Sequence, residues 1–133
     1  MTSLDDAIAR LRTICLDLPE AYEEQAWVGT RWVIRRHTFA HVLAVDDGWP
    51  PAYARAAGSA GPLTVLTFVS AGAELEVLRG AGPPFFRPPW RRNLVGLVIG
   101  SAVDWDEVAE LMTESYCVLA PRKLVRSVGR PAG

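Results

Sequence analysis

Apolar residues change their spacing several times along this chain, and each change marks a new element. Leu4, Ala7, Ile8, Leu11, Ile14 and Leu18 recur at the spacing of a helix face, behind Ser3 as a helix-start residue with Asp6 three positions on, and the run stops at Pro19. From Gln25 to Val45 aromatic and β-branched residues take over: "QAWV", a break at Gly29 and Thr30, "RWVI", the polar stretch Arg35 to His37, then "TFAHVLAV". This pattern predicts a meander of short antiparallel strands. "DDGWPPAYARAAGSAGP" is rich in turn formers, with Pro51 placed to begin a short helix and Gly58 to end it, and predicts a surface excursion.

"LTVLTFVS", from Leu63 to Ser70, returns to strand, and "AGAELEVLRG" offers a short helix closed by Gly80. Pro83, Pro84, Pro88 and Pro89 exclude a regular helix between Gly82 and Trp90, whereas "NLVGLVIG" reads as a buried strand. Asp104 can cap the next helix with Glu107 reaching back, and Trp105, Val108, Leu111, Met112, Ser115 and Leu119 fall on one broad face. Pro121 begins a separate terminal helix. The order predicts a two-layer α+β fold: an antiparallel sheet of about five strands with helices packed on one face.

Composition narrows this picture without redirecting it. A chain of 133 residues suits one domain, residues 1–133, with one core. Half the residues are hydrophobic and 22% are charged, which excludes a disordered class, and apolar runs such as "LVGLVIG" are far shorter than the roughly 20 residues a membrane span requires. Two aspartates near the N-terminus, where a signal peptide carries positive charge, point to a cytoplasmic address. Cys15 and Cys117 are too few for a disulfide framework and are not clustered for zinc, so both read as buried thiols. The net charge of −1 means that any polyanion site must be a local patch.

Candidate chemistry is sparse. Asp104, Asp106, Glu107, Glu110 and Glu114 sit on a helix, where they lack the alternating donors and turn glycine of a calcium loop and instead complement the helix dipole. Ser115 and Tyr116, late in that helix, bond locally or pin it to the sheet. His37 and His41 fall in a strand pattern, where four residues span about 13 Å, so they cannot share a metal ion and read as polar rim residues. "GSAG" lacks the nucleophile-elbow spacing, and "GAG" at Gly80 to Gly82 runs into prolines rather than a helix. Arg122, Lys123, Arg126 and Arg130 form a basic end that solvation and dipole complementarity explain, with phosphate contact as the alternative. No catalytic constellation, cofactor or metal set is expected.

The order "LPE" at Leu18 to Glu20, Trp27 with Gly29, "FAHV", a tryptophan before a strand, "DWDEVAELMTESY" and a closing "LAPRKL" resembles the MmcQ/YjbR-like proteins from about Leu4 to Val128. The resemblance implies the secretion-chaperone-like or CyaY-like α+β fold and a proposed role in DNA binding through a "double wing" arrangement. One departure stands out. Where many relatives carry "K-x-HW" ahead of the last strand, this chain has "PPWRRNLVGL", keeping Trp90 but placing Arg91, Arg92 and Asn93 after it.

One pair of segments joins basic and aromatic residues. Arg31, Arg35 and Arg36 border a predicted hairpin, while Arg87, Arg91 and Arg92 flank Trp90 on a proline-stiffened arm, a combination suited to phosphates and splayed bases. The competing reading has Trp90, Phe85 and Phe86 plugging the core edge and the arginines solvated or paired with carboxylates. If the two segments converge, they form a nucleic-acid-binding site, with DNA as the expected partner. The alternative is a protein- or peptide-binding adaptor, with a homodimer as one form of it, using "GWPPAY" and "PPFFRPPW". An enzyme ranks last.

Overall fold

The computed structural model describes residues 3–129. Helix α1 spans Leu4–Leu16, and the Ser3 hydroxyl caps it by accepting from the Asp6 amide at 3.1 Å. Strands β1 (Tyr22–Gln25), β2 (Thr30–Ile34) and β3 (His37–Val45) follow as a meander, then α2 (Pro51–Ala57), β4 (Leu63–Val69) and α3 (Gly72–Arg79). A two-residue strand β5 (Phe85–Phe86), β6 (Leu94–Val98), α4 (Trp105–Leu119) and α5 (Arg122–Ser127) complete the order. The six strands form one sheet in the order β1-β2-β3-β4-β6-β5, every neighbouring pair antiparallel.

Side chains alternate across this sheet and so sort into two faces. Trp32, Ala40, Phe68 and Val95 make one cross-strand row on the inner face, and Val42, Leu66 and Leu97 make the next. All seven are buried beneath Ala7, Leu11 and Cys15 of α1 and Val108, Met112 and Tyr116 of α4. This is the main core, and α1 and α4 lie on that side as the periodicity predicts. The intervening residues face the other way. Leu43, Val45 and Val65 pack with Ala54 and Tyr53 of the short α2 as a second, smaller cluster.

Two boundaries differ from the pattern-based expectation. The first strand is Tyr22–Gln25, upstream of "QAWV", because residues 26–29 form the turn into β2, with the Ala26 amide bonded to the Gly29 carbonyl at 3.0 Å. Gly29 has φ +78, and a Cβ there would overlap the Val42 carbonyl oxygen, so only glycine lets this turn fold against β3. Trp27 is thereby carried to the turn's tip, 89% exposed. The second difference is β5, two residues too short for any periodicity to show. The Phe86 ring lies over Gly96 of β6, in the space a side chain at 96 would fill.

A bulge shapes the join between sheet and helix. Trp32 pairs with Ala40 and Val33 with Thr38, so Phe39 is left out of the β2 register. The Ser115 hydroxyl donates to the Phe39 carbonyl at 2.7 Å and accepts from the Val69 amide at 2.9 Å, tying α4 to β3 and β4. Tyr116 adds a third tie, donating to the Pro19 carbonyl at 2.7 Å. Both residues of the SY pair therefore dock the helix. Among the described residues, no helix is long and apolar enough to cross a membrane.

Candidate functional site

Antiparallel register sets a polar row on the outer face of the sheet, between the two apolar inner rows. Arg31 faces His41, His41 faces Thr67 and Thr67 faces Gly96, so the row crosses β2, β3, β4 and β6. Over it stand Tyr53 from α2 and Trp90 from the arm between β5 and β6. Tyr53 meets the His41 ring edge-on at 6.0 Å and the Trp90 ring at 4.9 Å between centroids. Beneath these rings lies a cavity of about 220 Å³ whose lining includes Arg31, His41, Tyr53, Thr67, Trp90 and Arg91.

A second groove, of about 880 Å³, runs along the other side of Trp90 and is lined by Arg55, Arg79, Phe85, Phe86, Arg87 and Trp90 among others. Trp90, 41% exposed, is the wall between the two. The reading in which Trp90 plugs the core edge does not hold. Phe85 and Phe86 are partly buried and floor the groove.

The seven residues singled out from the sequence thus separate into groups. Arg31, Trp90 and Arg91 meet around the cavity, although sixty residues of chain separate Arg31 from Arg91. Arg87 joins Trp90 at the groove. Arg36 lies beside Arg31 in a shallow recess with Tyr22, Glu24 and Thr38. Arg35 turns away to Glu20, bonded at 2.9 and 3.0 Å, and Arg92 is exposed and lines neither cavity nor groove. Arg31 is itself paired with Glu24 through Nε at 2.8 Å and Nη2 at 2.6 Å. Arg36, Arg87, Arg91 and Arg92 have no ion pair among the described residues.

Three participants were not legible as site residues. Arg55 enters the groove from α2, and nothing in "PPAYARAAG" tells which face of that helix meets the sheet. Arg79, at the end of α3, donates from Nη1 to the carbonyls of Leu94 at 2.6 Å and Arg91 at 3.3 Å, so it fastens the arm that carries Trp90. His41 is no rim residue: it is half-buried, with Nε2 2.6 Å from the Val28 carbonyl and Nδ1 3.4 Å from the Tyr53 hydroxyl. Since a carbonyl only accepts, Nε2 carries the proton and Nδ1 is the acceptor. Burial pushes the His41 pKa below the ordinary imidazole value, and the nearby Arg31 charge adds to this against the opposing Val28 hydrogen bond.

The carboxylates of α3 and α4 gather on the helical side. Asp106 and Glu107 are exposed in the first turn of α4, and Glu74 of α3 is held above the ordinary carboxylate range by burial and by Glu114 and Glu110. Among the described residues, no group of three or more histidines, cysteines or carboxylates is placed to hold a metal ion.

Comparison with known proteins places this architecture. Two solved structures share the fold: a Deinococcus radiodurans protein with a DUF419 domain, 18% identical, TM-score 0.63, covering 100% of this chain and 92% of its own; and a Pseudomonas syringae protein, 10% identical, TM-score 0.61, covering 80% and 93%. No curated protein matches the chain. The YjbR family model matches residues 16–118, from the end of α1 through nearly all of α4, and so takes in the whole sheet and the arm bearing Trp90: the chain belongs to the YjbR family.

Proposed function

We propose that this protein is a non-catalytic nucleic-acid-binding module whose contact surface is the groove and rim around Trp90. The observation that carries the reading is a half-open indole flanked by guanidinium groups with no ion pair among the described residues, Arg87 on the groove side and Arg91 on the cavity side. Arg55 extends the cationic lining across the groove. Guanidinium groups bond phosphate oxygens in pairs, and an exposed indole offers a face to a base, so the arrangement can hold a nucleic-acid backbone beside a stacked base. Arg87 and Arg91 are both exposed here, a local cationic patch on a molecule of net charge −1.

Fluorescence anisotropy with labelled single-stranded and random duplex DNA at low salt tests it. Binding is expected in the micromolar range and weakens steeply with salt. Arg87→Ala and Arg91→Ala each reduce the slope of log K against log salt by about 0.7 to 0.9, the change expected when one phosphate is no longer neutralised. Arg35→Ala leaves binding unchanged, because that side chain is committed to Glu20. Absence of binding at tens of micromolar protein removes the reading.

A specific feature supports the adaptor alternative. Trp27 and Trp49, 89% and 51% exposed, pack against each other with centroids 5.8 Å apart, and neither lines the cavity or the groove around Trp90. Light scattering that shows a dimer abolished by Trp27→Ser would favour this second reading.

A further inference from the structure

We infer that the cavity beneath Trp90 is a binding site for a single oxyanion group on a small stem, a carboxylate or a phosphate monoester. The site goes beyond backbone contact in the groove: it shares Arg91 with the proposed nucleic-acid surface, whereas Thr67 belongs to the cavity and not to the groove. Among the described residues its lining is rich in donors and includes no carboxylate: Arg31, Arg91, Tyr53 and Thr67 all contribute to it. Glu24 engages Nε and Nη2 of Arg31 and leaves Nη1 outside the pair, while Arg91 has no ion pair among the described residues.

The second observation is independent of charge. Thr67 occupies the middle of the sheet and is 4% exposed, yet its hydroxyl makes no hydrogen bond to another described residue. Thr67 lines the cavity, and valine would fill the same place without offering it a hydroxyl. The Tyr53 hydroxyl is also loosely held. Its 3.4 Å approach to His41 Nδ1 is long for such a bond, so it can turn to a bound oxygen at little cost. A cavity of about 220 Å³ admits a small acid but not a nucleobase with its sugar and phosphate.

The test is calorimetric titration of the full chain with inorganic phosphate and with acetate, at constant ionic strength set by chloride. Saturable binding of at least one probe is expected, weakened about tenfold in Thr67→Val and in Arg91→Ala, with Thr67→Ser retaining most of the affinity. Circular dichroism of each variant separates loss of the site from loss of the fold. Competition by a 5′-phosphorylated oligonucleotide, but not by its unphosphorylated form, assigns the oxyanion to a nucleic-acid terminus; competition by neither assigns it to a free small acid. The inference is overturned if neither probe saturates, or if folded Thr67→Val and Arg91→Ala bind as the wild type does. Loss of duplex binding alone would leave it intact.

Discussion

Two single-residue features carry most of the chemical tension in this molecule. Arg35 and Arg36 are the central pair of the β2–β3 turn, both at positive φ, +49 and +68, where asparagine and glycine are usual. Such a backbone costs about 1–2 kcal/mol per residue, and the exposed Arg35–Glu20 pair returns less than about 1 kcal/mol. Replacing the pair by Asn-Gly is therefore expected to stabilise the fold by about 1–2 kcal/mol, read from urea denaturation. His41 is the second feature. Its folded pKa lies below the unfolded value of 6.5, so its contribution is present above that pH and is lost as pH falls from there toward the folded value. The melting temperature should decline below about pH 6.5, and His41→Asn should flatten that part of the curve. Glu23, held below the ordinary carboxylate range by the Arg12 hydrogen bond, acts with the same sign in a separate, more acidic window.

At the scale of elements, the opening helix, the meander, the β4 strand and the capped α4 were all readable, because each announces itself by a period of apolar residues or a capping side chain. Asp104 does cap α4, accepting from the Asp106 and Glu107 amides at 2.9 and 3.3 Å. What periodicity could not reveal was how α4 is fastened. Ser115 satisfies a carbonyl and an amide that belong to two different strands, and only the bulge at Phe39 makes the carbonyl available. Ser115→Ala removes both bonds within a buried site and is expected to cost about 1–3 kcal/mol in denaturant unfolding, with the secondary structure retained. The first strand lies upstream of "QAWV" for a related reason. "AWV" has strand composition, but the close approach of Gly29 to β3 turns those residues into a hairpin tip.

Over the whole molecule, the distribution of charge matters more than its sum. Arg87 and Arg91 are exposed on the arm around Trp90, a local cationic patch on a near-neutral protein, and the proposed salt-dependent binding would rest on them. The arginine-rich segments were visible as candidates along the chain, but their division was not. Glu24 and Glu20 claim Arg31 and Arg35, while Arg87 and Arg91 have no ion pair among the described residues, since ion pairing follows cross-strand register and loop path. Arg55 and Arg79 joined the site from helices whose facing residues no local pattern specifies.

By itself, the sequence determined the fold class, most of the elements, the two caps and the candidate basic segments, because those follow from local period and side-chain type. Tertiary structure alone decided that Arg31, His41, Tyr53, Thr67 and Trp90 share one cavity. The reason is physical: a strand's neighbours are set by antiparallel register, and a one-residue slip would have turned that whole row into the core.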